Sequence, residues 1–255
     1  THKVHGEVQF KQGSNNSRSS ATSFALSHCI SSLIEIRGVG IGKTSFKRRV
    51  HSGYLVAMSY LNTAYQNRSA LFNLLSYNSQ EPIQDSVVVE SVSKKIVQEL
   101  TMIDVYSAEL INISAKTNNA LESLSTLSRK TPSAYIIPKN EQNLVDKLHV
   151  LGLKTHSILQ AQKLEVGAYY VDAFKRDDFK YEGVYRQDVT TSVKPIYKDF
   201  KVGDHIIYMN QKNSALAVEV LEPEAPNSFI SFGLIKTELN YELPIYRYYE
   251  KRELH

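Results

Sequence analysis

Three short patterns in this 255-residue sequence put chemistry-bearing side chains at usable spacing. The first is Leu33-Ile-Glu-Ile-Arg37, a carboxylate and a guanidinium inside an apolar run. In an extended segment, alternation sets Leu33, Glu35 and Arg37 on one face and Ile34 and Ile36 on the other. The plain reading is an exposed Glu–Arg pair on a strand face, contributing under about 1 kcal/mol. The chemical reading is a general base, since partial burial among aliphatic groups lifts a carboxylate toward neutral pH.

The second pattern is Gly38-Val-Gly-Ile-Gly-Lys-Thr-Ser45, between an expected strand and an expected helix. It resembles a phosphate-cradling loop, with Lys43 and Thr44 in the phosphate and magnesium positions. The required glycine five places before Gly42 is Arg37, however, so the loop is one residue short. A glycine turn joining strand to helix accounts for it, and the Walker B-like Leu100-Thr-Met-Ile-Asp104 lies in a β-rich stretch rather than a βα repeat. The third pattern, His2-x-x-His5-x-Glu7, has passable metal-ligand spacing but sits in an end expected to fray. None of the eight histidines is followed by glutamate three places on.

The elements that position these groups follow from periodicity. Residues 1–21 are polar and read as a loop, and Ser23 to Cys29 as a short helix. Ile30 to Arg37 is rich in β-branched residues and reads as a strand. Phe46, Val50, Tyr54, Ala57, Leu61 and Ala64 make one apolar stripe on a helix over 45–66, and a shorter helix follows at 69–77. Gly53 inside the long helix costs about 1 kcal/mol against alanine, which points to a close neighbour. Cys29 reads as a small buried hydrophobe, and the cations Arg37, Lys43, Lys47, Arg48 and Arg49 as a solvated cluster, some paired with later carboxylates.

Past Gln80-Glu81-Pro82 the texture changes, with ten of the sixteen tyrosines after residue 151. Strands are expected at 86–92, 95–105, 108–114, 133–137, 153–159, 163–174, 184–199 and 204–209, with helices at 140–152 and 213–221. Residues 133–159 form a β-α-β unit whose strands should lie side by side and parallel. The tyrosine-rich tail 241–249 reads as half-buried strand residues rather than a ligand surface. The fold class is therefore α/β: a strand-plus-long-helix piece over 1–82, then a β-rich mixed domain over 83–255.

Composition narrows the function. Hydrophobic content is 42% and charged content 22%, so a packed core is expected. No stretch approaches eighteen apolar residues, so no transmembrane helix and no membrane partner is expected. One cysteine excludes a disulfide framework, and a net charge of +4 is too mild to imply nucleic acid.

The segment Ala21-Thr-Ser-Phe-Ala-Leu-Ser-His-Cys-Ile-Ser-Ser-Leu-Ile-Glu-Ile-Arg-Gly-Val-Gly-Ile-Gly42, with Arg48-Arg49-Val50, resembles the end of the catalytic domain of bacterial zinc carboxypeptidases, the carboxypeptidase A-like metallopeptidases. Ser133-Ala-Tyr-Ile-Ile-Pro138, Gly203-Asp-His205, Leu221-Glu-Pro-Glu-Ala-Pro226 and Tyr246-Arg247 are similar to a C-terminal region carried by some of them. The resemblance implies an α/β/α remnant in which Glu35 is the general base and Arg37 lies beside the active site. It implies a peptide C-terminus as substrate, zinc in the intact protein, and a periplasmic or extracellular location. The family's His-x-x-Glu zinc motif is missing here, as are the tyrosine of its specificity loop and its carboxylate clamp. The chain is thus expected to be a C-terminal fragment that alone binds no zinc at the family site, cleaves nothing and leaves the apolar surface of 22–66 bare. A non-catalytic binding or structural module is the alternative, and an NTPase a more distant one. Residue specificity and oligomeric state are open.

Overall fold

The computed structural model describes residues 2–254 except 5, 6, 39, 41 and 79–83. The boundary placed near residue 82 and His5 of the histidine pair lie outside the described residues.

The chain opens with two short strands, β1 (His2–Val4) and β2 (Glu7–Gln12), where the sequence suggests a loop. β2 finds a partner more than a hundred residues away, which no local pattern signals: it runs parallel to Lys116–Asn119. α1 (Ser20–Leu26), α2 (Phe46–Gln66) and α3 (Arg68–Asn78) follow. β3 (Ser86–Ile103) and β4 (Leu110–Lys130) make one long antiparallel hairpin, where three strands were expected. Irregular register at Val88/Glu90 and Ser93/Lys94 breaks the alternation that would have signalled one continuous strand. The first sheet has the order β1-β2-β4-β3.

The second sheet has six strands: β5 (Ala134–Ile137), β6 (His156–Ser157), β7 (Gln162–Arg176), β8 (Gln187–Phe200), β9 (His205–Tyr208) and β10 (Glu242–Tyr248). Their order is β6-β9-β5-β10-β7-β8. β9 is antiparallel to both β5 and β6, so the strands of the expected β-α-β unit are parallel but not neighbours. β9 enters between them because Ile206 and Ile207, alternating onto opposite faces, are both fully buried there. α4 (Gln142–Val150) and α5 (Ser214–Leu221) supply Leu144, Leu148, Ala217 and Leu221 to the core on one face, together with Tyr135, Tyr169 and Ile245. Ala134, Ile136, Val166, Ala168, Tyr246 and Tyr248 make the core on the other. The mixed α/β class expected from the sequence is what folds, and the tail tyrosines at 246 and 248 are core residues.

Residues 30–38 form no ladder, although they read as a strand. A strand needs a neighbour to take its N–H and C=O groups, and none of the described strands lies alongside. The segment nevertheless lies along α2 in the opposite direction. Tyr60 Oη donates to Ser32 Oγ at 2.7 Å, a Cβ on Gly53 would stand 3.6 Å from Ile36 Cδ1, and the Arg49 guanidinium lies against Gly38. Gly53 thus has its expected neighbour. The stripe Phe46–Val50–Tyr54–Leu61 faces solvent instead, next to the side that the segment covers.

Candidate functional site

Glu35 and Arg37 lie where alternation places them. Ile36 and Gly38 turn toward α2, and Glu35 and Arg37 point away from it and are exposed. Two residues along an extended chain separate them by about 7 Å. They stand just before the glycine turn and the short 3-10 turn Lys43–Ser45 that leads into α2. Gly40 and Gly42 take φ of 77° and 54°, conformations that glycine allows and other residues rarely adopt. Cys29 is exposed rather than buried, and it stands beyond the end of α1 at Leu26. Among the described residues, none of the cations Arg37, Lys43, Lys47, Arg48 and Arg49 is ion-paired with a carboxylate of the second half, so that pairing does not form.

The described residues hold no group of three or more His, Cys, Asp or Glu that could bind a metal ion.

The second half brings its sequence motifs together in one buried network. Glu222 and Glu224 come from the turn after α5, Tyr135 from β5, Arg247 from β10 and Arg129 from the root of β4. Tyr135 Oη donates to Glu222 Oε1 at 2.5 Å, and Arg129 Nη1 donates to Glu222 Oε2 at 3.1 Å. Arg129 also grips Glu224 through both nitrogens, at 2.8 and 2.7 Å. Glu224 Oε1 accepts from the Thr191 amide and hydroxyl at 2.7 and 2.8 Å. Arg247 stands 3.5 Å from Glu222 and donates to the Lys130 carbonyl. Burial pulls the Arg129 guanidinium down, but Glu224 and Glu222 more than offset it and hold it charged. Burial first, then the charge of Glu222, pushes the phenols of Tyr135 and Tyr169 well above their usual range. Every carboxylate here is committed to a cation or an N–H, and two arginines balance two glutamates. The network, with the Tyr169 ring under Arg129 and Arg247 and its Oη buried without a partner, is held by these pairs. It ties the hairpin root to the six-stranded sheet.

The Gly203-Asp-His205 motif is likewise structural. Asp204 accepts from the Lys139 and Lys201 amides at 3.0 and 2.8 Å, pinning the turn before β9. The residues of these motifs were visible in the sequence, but not their convergence, since Tyr135 and Glu222 are 87 residues apart.

No family model matches the chain, and no solved structure matches it. Curated proteins do. The chain is 29% identical over 243 residues to carboxypeptidase 2 of Trichophyton rubrum, covering 94% of this chain and 45% of that protein. It is 28% identical over the same length to carboxypeptidase 2 of Trichophyton tonsurans. It is 30% identical over 199 residues to the probable carboxypeptidase 2 of Arthroderma benhamiae, covering 77% of this chain and 38% of that one. The chain thus spans about half the length, or less, of the curated relatives it matches. These relatives are fungal, and their names support a carboxypeptidase family for the chain. A match over 94% of the chain leaves only about fifteen residues outside it, so it takes in residues 30–38.

Proposed function

We propose that the chain is part of a metallocarboxypeptidase of the carboxypeptidase A-like kind, with Glu35 as its general base. The observation that carries this is the long match to proteins named carboxypeptidase 2, which includes the Glu35 segment. The substrate is a peptide C-terminus. Residues 1–82 are the last part of the catalytic domain and residues 83–255 an accessory domain. A periplasmic or extracellular location belongs to the same proposal and rests on the resemblance.

In this reading Glu35 takes a proton from the water that attacks the scissile carbonyl and passes it to the leaving amine. The partial burial expected of this carboxylate is not seen, since Glu35 is exposed; in this reading it is the substrate, and protein outside the described residues, that cover it. Arg37, on the same face, offsets the negative charge that develops on the carbonyl oxygen. The metal ligands come from residues other than those described, so the chain alone is expected to turn over no peptide even with added zinc.

The deciding variant is Glu35→Gln in the intact protein. It keeps shape and hydrogen bonding and removes the base. Because Glu35 is exposed and holds nothing else in place, melting temperature should not move, while kcat should fall about 10²–10⁴-fold. Unchanged kcat would reduce Glu35 to a surface residue and leave the binding-module reading in its place.

A further inference from the structure

In residues 15–18, successive polar side chains reach three separate places of the second half. Asn15 Nδ2 donates to Ser91 Oγ on β3 and Ser123 Oγ on β4, at 3.1 and 2.8 Å. Asn227 Nδ2, in the turn after α5, donates to Asn16 Oδ1 at 3.0 Å and to Ser17 Oγ at 2.7 Å. Arg18 Nη2 pairs with Glu182 in the β7–β8 turn, and its guanidinium carbon lies 4.4 Å from the centre of the Phe232 ring. Asn16 Oδ1 also accepts from the Arg18 amide at 2.9 Å, which fixes the turn that spreads these side chains apart.

This run leads directly to the segment that carries Glu35. The Ser19 carbonyl accepts from the Ser23 amide at 2.8 Å as α1 begins, and α1 lies against α5. Beyond α1 the Cys29 amide donates to the Phe24 carbonyl at 3.0 Å, and Ser31 Oγ donates to the Ala21 carbonyl at 2.6 Å. The start of the 30–38 segment is thereby folded back on the helix. Neither piece holds itself in place: α1 has seven residues, none of them buried, and 30–38 forms no ladder. So short a helix is marginal in water without an outside contact. An exposed ion pair or hydrogen bond is weak alone, but once one of these contacts is made the others close as intramolecular ones.

We propose that residues 15–18 are a clasp by which the second half fixes the segment bearing Glu35, so that Asn227, Glu182 and Arg18 are positioning residues for that carboxylate. Asn227 and Glu182 belong to the β-rich domain, which thus takes part in the reaction without touching the substrate. A base must meet its proton at hydrogen-bond distance, and a small displacement of it lowers the rate steeply. The role for Glu35 rests on its reading as the general base, whereas the clasp itself does not.

Pulsed electron spin resonance between two nitroxides on the chain tests this. One label goes on Cys29, the only cysteine and exposed, and the other on Val150→Cys, 87% exposed at the end of α4. The expected result is one narrow distance distribution. Asn227→Ala and Arg18→Glu change residues outside both cores, so the melting curve should not move. Each frees a stretch that then behaves as a flexible linker, and the distribution should broaden about twofold or more. Arg18→Glu combined with Glu182→Arg restores the charge pair and should narrow it again. In the intact protein, Asn227→Ala and Arg18→Glu should lower kcat about tenfold or more with KM within about twofold, and the charge swap should recover kcat. A distribution already broad in the wild-type chain overturns the proposal. So does one that stays narrow in every variant, which would give the placement to the packing of α1 on α5. A clasp that opens without lowering kcat, where Glu35→Gln abolishes turnover, also overturns it. If Glu35→Gln leaves kcat unchanged, the general-base reading is what fails, and the nitroxide distances alone decide the clasp.

Discussion

Glu222 is fully buried, yet it accepts hydrogen bonds from Tyr135 and Arg129 and faces Arg247. Buried charge is tolerable only while each charge has its partner. Glu222→Ala strands Arg129, Arg247 and a buried phenol at once, and a loss of about 3–5 kcal/mol in urea denaturation is expected. Glu222→Gln keeps one acceptor and should lose less; equal losses would mean that the charge carries the whole contribution and the retained acceptor none. His205 offers a second test. Burial, helped by His149 and opposed by Asp204, holds its imidazole below the usual value, and its Nε2 is buried without a partner. The unfolded chain therefore takes up this proton before the folded one does. Stability from this site is complete above pH about 6.5 and is lost as pH falls through the lower, folded value. The melting temperature should drop between pH 7.5 and 5.5, and His205→Asn should flatten that drop. An identical slope in the variant would move the effect elsewhere.

At the scale of elements, one substitution at two glycines should act in opposite directions. Gly53 is in the interior of α2, where alanine is favoured by about 1 kcal/mol, and its added Cβ meets Ile36 Cδ1 at an ordinary 3.6 Å. Gly53→Ala should therefore be neutral or stabilising. Gly167 in β7 is crossed by Tyr249, and an added Cβ would stand 2.7 Å from Val193 Cγ1 and 3.3 Å from the Tyr249 ring. Gly167→Ala must displace packed neighbours, and a loss of about 1–3 kcal/mol is expected. Two chemical denaturation curves decide both. The helices α2, α4 and α5 and most of the second sheet were legible, because their apolar periods are carried by contiguous residues. The parts that misled are those settled at a distance. β1 and β2 depend on a remote partner, β6 was displaced from β5 by a strand 49 residues further on, and the strand at 30–37 lacks the neighbours that would make it one. Glu35 was placed correctly on its face because alternation needs only the local chain. The Arg129 network was not foreseen, because pairing across sheets has no local signature.

For the molecule as a whole, the division of the core is the informative feature. Among the described residues, no hydrophobic side chain before Val89 is buried, whereas both core clusters are built entirely from residues after 133. Phe24, Ile30, Leu33, Phe46, Tyr54 and Leu61 are each half or more exposed. The accessible surface is 17,023 Å² for 28.9 kDa, against about 11,400 Å² for a compact monomer of that mass. Since α2 and its extended companion contribute nothing to either core, the stability of the second half should not depend on them. A piece comprising residues 84–255 is expected to unfold in one cooperative transition, with a melting temperature within a few degrees of the whole chain. It should also bind far less of an apolar-surface dye such as ANS. A piece that melts broadly would mean that β2, which pairs with β4, or α1, which touches α5, holds the second half together, and the boundary near residue 82 would have to move toward the start of the chain.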